Sequence, residues 1–414
     1  MRLARYSTFL LLLVPHLFGT SLSLDMAVEQ FVEHNYDLQI ARHEAQKSRA
    51  DLITAKEHPN PILNGSYEFM DIQHHLGDQA RGSNAQVTLM LAHPFETGGK
   101  RDRRVDLANH AITYNDFIVD ETVREQLTVL VDAYYAVLND QANWFNAQEN
   151  GKMYANILAI AKTKLDNGFL SQIDYQKLLL QKIDYTREIE NNRLALVQDR
   201  EALAALLALT ASDITVTAPV NASDELQSLD SFLAKVIERA DCKAAKQNVA
   251  VADASLKLEK AIAIPNVTVG AEYASFGPYY EPLLGVNFAM PLPVYDKNEG
   301  DIEKARITTL QSVNLYDKTL RMAKADVLQN YEATQSRYAI YQMMIEGFKS
   351  AKELKEKQEK IFALKGISVL ELLDSQKNYR DYQKNLTQAM IDFHSATARL
   401  KLSSGLSLLD SKGH

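Results

Sequence analysis

Four side chains that could bind a transition metal lie close together in the sequence: Asp71, His74, His75 and Asp78. Imidazole nitrogens and carboxylate oxygens are common ligands of such metals in proteins. The segment is polar and lies between two predicted strands, so an ordinary surface loop accounts for the same residues. Metal binding here is a hypothesis about these four side chains, and the sequence predicts no cofactor.

Motifs that would support catalysis are missing from the sequence. It contains neither the H-E-x-x-H motif of metalloproteases nor the G-x-S-x-G motif of serine hydrolases. Gly99-Lys100 resembles the end of a phosphate-binding loop, but Pro94 stands where that loop needs glycine, and Arg101 where it needs Ser or Thr. The one cysteine, Cys242, leaves no disulfide framework and no cysteine metal site. The sequence therefore predicts that the protein is not an enzyme.

Four cations begin the first of two very long predicted helices: Lys100, Arg101, Arg103 and Arg104. Cations are unfavourable at a helix N-terminus, where the free N–H groups carry partial positive charge. We therefore expect a compensating partner and infer phospholipid head groups at a membrane surface. The formal net charge of the chain is −8, so a nucleic acid partner is not predicted, because phosphate binding needs a basic surface.

The two very long helices are predicted at residues 100–165 and 300–364, both without proline. A helix of this length would extend for about 100 Å at the α-helical rise, and it must pack along other helices. Apolar residues in the first one recur at intervals of three, four or seven, which indicates a packing seam: Val123, Leu127, Leu130, Tyr134, Val137 and Trp144.

Residues in the first half of the sequence match residues in the second half at a nearly constant offset, which indicates an internal repeat. The matched positions include Pro61 with Pro265, Pro94 with Pro293, and Gly168 with Gly366. In each repeat the sequence predicts a helix (Met26–Glu57 or Ser231–Ala263), two strands, a very long helix, a glycine-bearing turn and another helix. The predicted first repeat is 24–208, with strands 62–70 and 84–93 and helices 100–165 and 171–207; a connector follows at 209–230. The second repeat is 231–402, with strands 266–274 and 283–291 and helices 300–364 and 368–402, and the tail is 403–414.

The first 23 residues are predicted to be a signal peptide. Arg2 and Arg5 precede a short apolar run, Phe9–Phe18, and the small residues Ser21 and Ser23 favour cleavage after Ser23. The apolar run is too short to span a bilayer as a helix. The mature protein is therefore expected to be exported.

The four predicted strands alternate apolar and polar residues, as Leu63 and Tyr67 do with Asn64 and Ser66. A membrane β-barrel shows this pattern, and so does an ordinary half-buried sheet. Four strands cannot close a barrel, and lipid does not tolerate an open edge with unpaired N–H and C=O groups. If the strands lie in a membrane, several chains must share one barrel.

Several motifs, together with the duplication, resemble the TolC-like outer membrane efflux proteins over nearly the whole mature chain. They are Asn35-Tyr36-Asp37-Leu38, residues 168–174 (GFLSQID) and residues 291–300 (PLPVYDKNEG). The resemblance implies a fold that is mainly α with a membrane β-barrel. A homotrimer would form twelve strands, four from each chain, continued by an α-helical tunnel through the periplasm. It also implies the outer membrane of a Gram-negative bacterium, a periplasmic adaptor protein and an inner-membrane pump.

Residues 94–101 (PFETGGKR) are similar to the form of this segment in CzcC-like members, which serve heavy-metal efflux pumps. The resemblance therefore implies a passive exit duct for divalent cations and a pump of the resistance-nodulation-division type. Drug or organic-solute efflux and type I protein secretion remain alternatives. A soluble periplasmic coiled-coil scaffold is an alternative of another class.

The resemblance also implies where functional residues lie, at the two helical turns that form the periplasmic end of the tunnel. Lumenal carboxylates would be Asp174, Glu371 and Asp374, which as rings in a trimer would favour cations. The adaptor would contact small and apolar residues of the turns: Gly168, Leu170, Ser171, Gly366, Ile367 and Ser368. Solvated helix carboxylates and simple turn chemistry are the alternatives for these two sets.

Overall fold

Helices and strands follow one another in nearly the same order in the two halves of the chain. The computed structural model describes residues 21–69, 85–217, 227–276, 281–364 and 367–408. The first half contains β1 (Ser21–Leu22), α1 (Leu24–His34), α2 (Tyr36–Lys56), β2 (Ile62–Phe69), β3 (Ala85–Phe95), α3 (Lys100–Asp166) and α4 (Gln172–Leu207). The second half contains β4 (Thr215–Val216), α5 (Leu229–Lys235), α6 (Ala240–Ile262), β5 (Val267–Ser275), β6 (Leu283–Ala289), α7 (Glu299–Ala363) and α8 (Val369–Ser403).

The longer elements lie where the sequence predicts them. The observed ends of the four longer strands differ from the predicted ends by two residues or fewer. The ends of the four long helices differ by one residue or none. In α3, the predicted seam residues Leu127, Leu130, Tyr134 and Val137 are all buried. The predicted fold class, mainly α with a duplicated pattern of helices and strand pairs, is confirmed.

The prediction of one helix over Met26–Glu57 is wrong, because Asn35 separates α1 from α2. Asn35 has an extended backbone, with φ −64° and ψ 131°. Its side-chain amide donates a hydrogen bond to the carbonyl oxygen of Leu206, at 3.1 Å. The apolar period continues on both sides of Asn35, so only this long-range contact reveals the break.

The prediction of one helix over Ser231–Ala263 is wrong for a related reason. A short 3₁₀ helix, Val236–Glu238, follows α5, and Arg239 is extended before α6 begins. The guanidinium of Arg239 is almost fully buried and pairs with Asp241 at 2.6 Å and with Asp326 at 2.9 Å. A buried arginine needs such partners, and reaching both fixes the backbone at Arg239.

The described residues divide into two compact units. Within the described parts of the chain, unit 1 draws on residues 21–36, 125–217, 227–229, 328–364 and 367–408. Unit 2 draws on residues 37–69, 85–124, 230–276 and 281–327. In unit 1, β1 and β4 form a two-stranded parallel sheet that pairs Leu22 with Val216. The sequence did not predict this sheet, because strands of two residues are too short to show a period.

Residues 21–23 are part of unit 1. The carbonyl oxygen of Leu22 accepts a hydrogen bond from the N–H of Thr217, at 3.1 Å. The side chain of Ser23 accepts one from the N–H of Met26 and caps α1. The predicted cleavage after Ser23 would remove these residues and their contacts, and the position of cleavage stays a prediction.

In unit 2, four strands form one antiparallel sheet in the order β2-β3-β5-β6. The central pair joins the two repeats, with Leu89 opposite Tyr273 and Leu91 opposite Ala271. Among the described residues, β2 and β6 each have a single neighbouring strand, so the sheet is open at both edges.

Among the helices of the described residues, none is long and apolar enough to cross a membrane.

Candidate functional site

The first helical turn, between α3 and α4, is closed by local hydrogen bonds. Gly168 has a φ of +72°, the left-handed conformation that glycine adopts without a steric penalty. The N–H of Phe169 donates to the carbonyl oxygen of Lys164, at 2.8 Å. The side-chain amide of Asn167 donates to the carbonyl oxygen of Thr163, at 2.8 Å. Gly168 therefore ends α3, as its sequence position predicts.

Asp174 takes part in the cap at the start of α4. Ser171 is the N-cap and accepts a hydrogen bond from the N–H of Asp174, at 3.0 Å. The carboxylate of Asp174 accepts hydrogen bonds from the hydroxyl of Ser171 at 2.8 Å and the ammonium of Lys177 at 3.0 Å. Hydrogen bonds from these two groups lower the pKa of Asp174, so it is ionised at neutral pH.

Glu371 has the same place at the start of α8. Ser368 caps α8 and accepts from the N–H of Glu371 at 3.2 Å, while the Glu371 carboxylate accepts from the N–H of Ser368 at 3.0 Å. This capping box satisfies two free N–H groups of the helix end. Asp174 and Glu371 are thus equivalent residues of the two repeats. Lys365 and Gly366, which complete the second turn, lie outside the described residues.

A hydrophobic cluster lies beneath the turns in unit 1. Its buried members include Tyr154, Ala161, Leu178, Phe362 and Leu372. Two residues predicted to contact an adaptor, Leu170 and Ile367, are partly buried and pack against this cluster. In contrast, Phe169 is 58% exposed and Leu370 is 75% exposed. Neither residue is among the adaptor contacts predicted from the sequence, although both belong to the apolar pattern at the turns.

Asp374 lies in a different environment from the other two predicted carboxylates. It lines a polar cavity of about 740 Å³ among α3, α4 and α8. The lining contains four carboxylates and four cations, so their charges balance within one chain: Asp184, Glu188, Asp374, Asp381, Arg187, Lys377, Arg380 and Lys384. Arg380 binds Glu188 at 2.8 Å and lies 4.3 Å from the ring centroid of Tyr185, which ties α8 to α4.

The predicted cation cluster at the start of α3 lies against the C-terminal end of α2. Arg101 donates to the carbonyl oxygen of Lys56 at 2.8 Å, and Arg104 donates to that of Glu57 at 3.3 Å. Arg104 also forms an ion pair with Glu96, whose side chain is 11% exposed. These contacts satisfy free carbonyl groups at the end of α2, where cations are favourable.

Lys100 is buried at the same junction, and its ammonium donates to the side-chain oxygen of Asn266. The hydroxyl of Thr97 donates to the carbonyl oxygen of Pro265. Three of the four cations therefore have their compensating partners inside the chain, not in lipid. Arg103 is exposed.

The four possible metal ligands, Asp71, His74, His75 and Asp78, lie outside the described residues. Within the part of the chain that the structure describes, no group of three or more His, Cys, Asp and Glu residues could hold a metal ion.

The sheet of unit 2 exposes a row of large apolar side chains on one face. Leu284 and Val286 are each 82% exposed, Leu63 is 71% exposed and Phe288 is 69% exposed. The other face carries polar and small residues, where the side chain of Asn287 donates to Glu272 at 3.2 Å. Exposed apolar faces of this kind mark contact with a membrane or another protein.

A family model described as "Outer membrane efflux protein" matches residues 27–209 and 236–406, which include nearly all of both repeats. The chain belongs to the outer membrane efflux protein family.

Relatives agree with this assignment. The cobalt-zinc-cadmium resistance protein CzcC of Cupriavidus metallidurans is 23% identical over 292 residues, a match that spans 69% of this chain and 66% of that protein, just under two thirds of its length. The structure of CusC has a TM-score of 0.78 at 15% identity, with 94% of each chain covered. VceC from Vibrio cholerae has a TM-score of 0.74 at 16% identity, covering 93% of this chain and 96% of VceC. At these identities the structural likeness establishes the fold.

Membership places this outer membrane efflux protein in the outer membrane of a Gram-negative bacterium, with a large periplasmic portion. The family consists of passive ducts, which agrees with the prediction that the protein is not an enzyme. The soluble periplasmic scaffold, an alternative from the sequence, is excluded by the same membership.

Proposed function

We propose that this outer membrane efflux protein is the exit duct of a tripartite system that exports divalent heavy-metal cations. The observation that carries the proposal of a duct is the sheet of unit 2, with its exposed apolar face and its two open edges among the described residues. Lipid suits the apolar face but does not tolerate unpaired edge groups. Further copies of the chain must therefore supply the missing neighbours.

Strand directions support closure by identical copies. Each neighbouring pair in the order β2-β3-β5-β6 is antiparallel, so β6 runs opposite to β2. A second copy can thus add its β2 beside β6 and continue the same antiparallel pattern. In a homotrimer, three sets of four strands make the expected twelve. Native mass spectrometry of detergent-purified protein should show trimers, and a monomer stable in bilayers would contradict the proposal.

Metal cations are the proposed cargo because of two observations. The relative CzcC is named for cobalt, zinc and cadmium resistance, and residues 94–101 are similar to the CzcC-like form of that segment. A deletion strain should grow poorly on salts of these metals and recover when the gene is restored. Sensitivity to detergents alone would favour organic-solute efflux, and loss of an exported protein would favour type I secretion.

The proposed partners are a periplasmic adaptor and an inner-membrane pump of the resistance-nodulation-division type. The exposed turn residues Gly168, Ser171 and Ser368 are the candidate adaptor contacts, with Gly366 predicted beside them. Leu170 and Ile367 would support the turns from inside, since they pack on the cluster beneath. A photo-crosslinker at Ser171 or Ser368 should capture the adaptor, whereas one at Asp253 in unit 2 should not.

The lumenal role of Asp174, Glu371 and Asp374 is proposed on charge and position. Three copies of each around a narrow axis would favour cations. Glu371→Gln keeps a capping side chain and removes the charge, and Asp174→Asn is similarly conservative. The triple variant with Asp374→Asn should lose cation selectivity in planar bilayers. The exposed Asp253→Asn serves as the control, and unchanged selectivity in the triple variant would exclude the role.

Head-group anchoring by the cation cluster is proposed only for Arg103, which is exposed, whereas Lys100, Arg101 and Arg104 have partners within the chain. Arg103→Glu should slow membrane insertion in vesicles that contain anionic lipid. Arg187→Glu on α4 is the control, because Arg187 is also exposed but belongs to unit 1, which contains none of the strands assigned to lipid. Equal insertion rates for the two variants would remove the anchoring role.

A further inference from the structure

The exposed apolar row of β6 continues beyond the end of the strand. Leu284, Val286 and Phe288 lie on the exposed face within β6. The spacing of two continues through Met290, Leu292 and Val294, which are 40%, 70% and 64% exposed. Tyr295 comes next and is 100% exposed. We call residues 291–298 the interface loop. Its large apolar side chains are exposed and directly follow, along the chain, the strand whose apolar face the proposed function assigns to lipid.

The interface loop is fixed in place by hydrogen bonds. The N–H of Val294 donates to the carbonyl oxygen of Leu292, at 2.8 Å. Asn298 has a φ of +60°, and its side chain donates to both the carbonyl and the carboxylate of Glu259, each at 2.9 Å. Glu259 lies near the end of α6, so the loop is tied to a helix. These hydrogen bonds therefore tie the backbone of the loop, and its large apolar side chains are exposed.

The corresponding segment of the first repeat is built differently. Pro94 corresponds to Pro293, so Glu96 occupies the place of Tyr295. Glu96 is paired with Arg104 and its side chain is mostly buried. The first repeat therefore folds with a mostly buried, ion-paired glutamate at the position that Tyr295 occupies in the second repeat. An outward apolar side chain at the position of Tyr295 is therefore not required by the fold, whereas Phe95, at the position of Val294, is also exposed, at 52%.

We infer that the interface loop inserts Leu292, Val294 and Tyr295 into the periplasmic leaflet of the outer membrane, with phospholipid as its partner. The inference rests on the proposed function, which puts the apolar sheet face in lipid. Tyrosine suits the boundary between acyl chains and head groups, because its ring is apolar and its hydroxyl polar. Asp296 and Lys297 follow at once and mark the return to water. The long periplasmic helix α7 begins two residues later, at Glu299.

A test uses tryptophan fluorescence in vesicles of brominated phospholipid, with the full chain reconstituted as its native assembly. Trp144 is the one native tryptophan, and Trp144→Phe removes it. Tyr295→Trp is the reporter. Phe288→Trp on the sheet face is the lipid-exposed control, and Phe169→Trp at the helical turn is the water-exposed control. If Trp144→Phe prevents assembly, the same substitutions are made in the native background and the parent signal is subtracted.

The expected result is loss of Tyr295→Trp fluorescence, larger with bromine near the glycerol end of the acyl chains than near the methyl end. Phe288→Trp should respond to the deeper bromine, and Phe169→Trp to neither. If Tyr295→Trp behaves like Phe169→Trp while Phe288→Trp is quenched, the inference is overturned. Aqueous acrylamide then tells whether water or a neighbouring copy covers the loop. If Phe288→Trp is also unquenched, the sheet does not face lipid and the proposed function itself fails.

Discussion

The hydroxyl of Tyr134 lies 2.7 Å from the carbonyl oxygen of Thr217 and 2.9 Å from that of Leu22. Tyr134 is fully buried in α3. Leu22 belongs to β1, and Thr217 directly follows β4, the strand that pairs with β1 in the short parallel sheet. One hydroxyl therefore ties the long helix to both the start of the described chain and the connector between the repeats.

Tyr134→Phe should weaken this junction. The substitution removes the hydroxyl that donates to the Thr217 carbonyl oxygen, while the Leu22 carbonyl oxygen keeps the N–H of Thr217 as a donor. Loss of a donor to a buried carbonyl group costs about 1–3 kcal/mol of folding stability. The thermal midpoint of the assembled protein should fall measurably. Tyr36→Phe is the control, because Tyr36 is 67% exposed and its loss of a hydroxyl should have little effect. Equal midpoints for the two variants would show that the Tyr134 hydroxyl contributes nothing.

The mature protein should begin at or before Ser21. Leu22 is buried and paired with Val216, and Ser23 caps α1, so the fold uses all three residues. Intact mass measurement of protein purified from the outer membrane gives the terminus directly. A chain that begins at Leu24 would show that the parallel sheet is dispensable.

The stability of unit 1 should depend on the ionisation of Asp140. Burial, the nearby charge of Asp199 and a hydrogen bond between the two carboxyl groups raise the pKa of Asp140 from 3.8 to about 6. Because the folded pKa is the higher one, the contribution of this group to stability is full below pH 3.8 and is lost as the pH rises through about 6.

Asp140→Asn cannot ionise and should therefore raise the thermal midpoint at neutral pH, with little effect in acid. Thermal unfolding at several pH values measures the difference. The control is Asp253→Asn, which removes an exposed ion pair with Lys257 and should not stabilise the protein at neutral pH. A midpoint difference between Asp140→Asn and the parent that does not change with pH would contradict the prediction.

Gly98 and Gly99 make a matched pair at the junction of β3 and α3. Both have positive φ, +67° and +69°, so alanine is strained at either position by about 1–2 kcal/mol. At Gly98, an added Cβ would also lie 2.8 Å from a side-chain carbon of Ile264 and 3.1 Å from the carbonyl oxygen of Ala261, whereas the space at Gly99 is open. Gly98→Ala should therefore lower the thermal midpoint and assembly yield more than Gly99→Ala. The reverse order would show that the close packing at Gly98 is not maintained in the assembly.

The sequence alone determined the positions of the long helices, the four longer strands and the first helical turn. These features are local: helical and strand periods report which face is buried, and proline or glycine ends an element. Ser171 and Ser368 likewise carry cap signals three residues before Asp174 and Glu371. The duplication adds a second, independent copy of each signal, which is why the predicted ends agree so closely with the observed ones.

Only the tertiary structure decided which distant groups meet. The backbone breaks at Asn35 and Arg239 depend on Leu206 and Asp326, which are far away in the chain. From the sequence, cations at the N-terminus of α3 are expected to destabilise the helix. Folding brings the carbonyl groups of Lys56 and Glu57 next to Arg101 and Arg104, where they accept hydrogen bonds from these side chains. A local pattern fixes the face on which a residue lies, whereas its partner is chosen by packing between elements that are separated in the sequence.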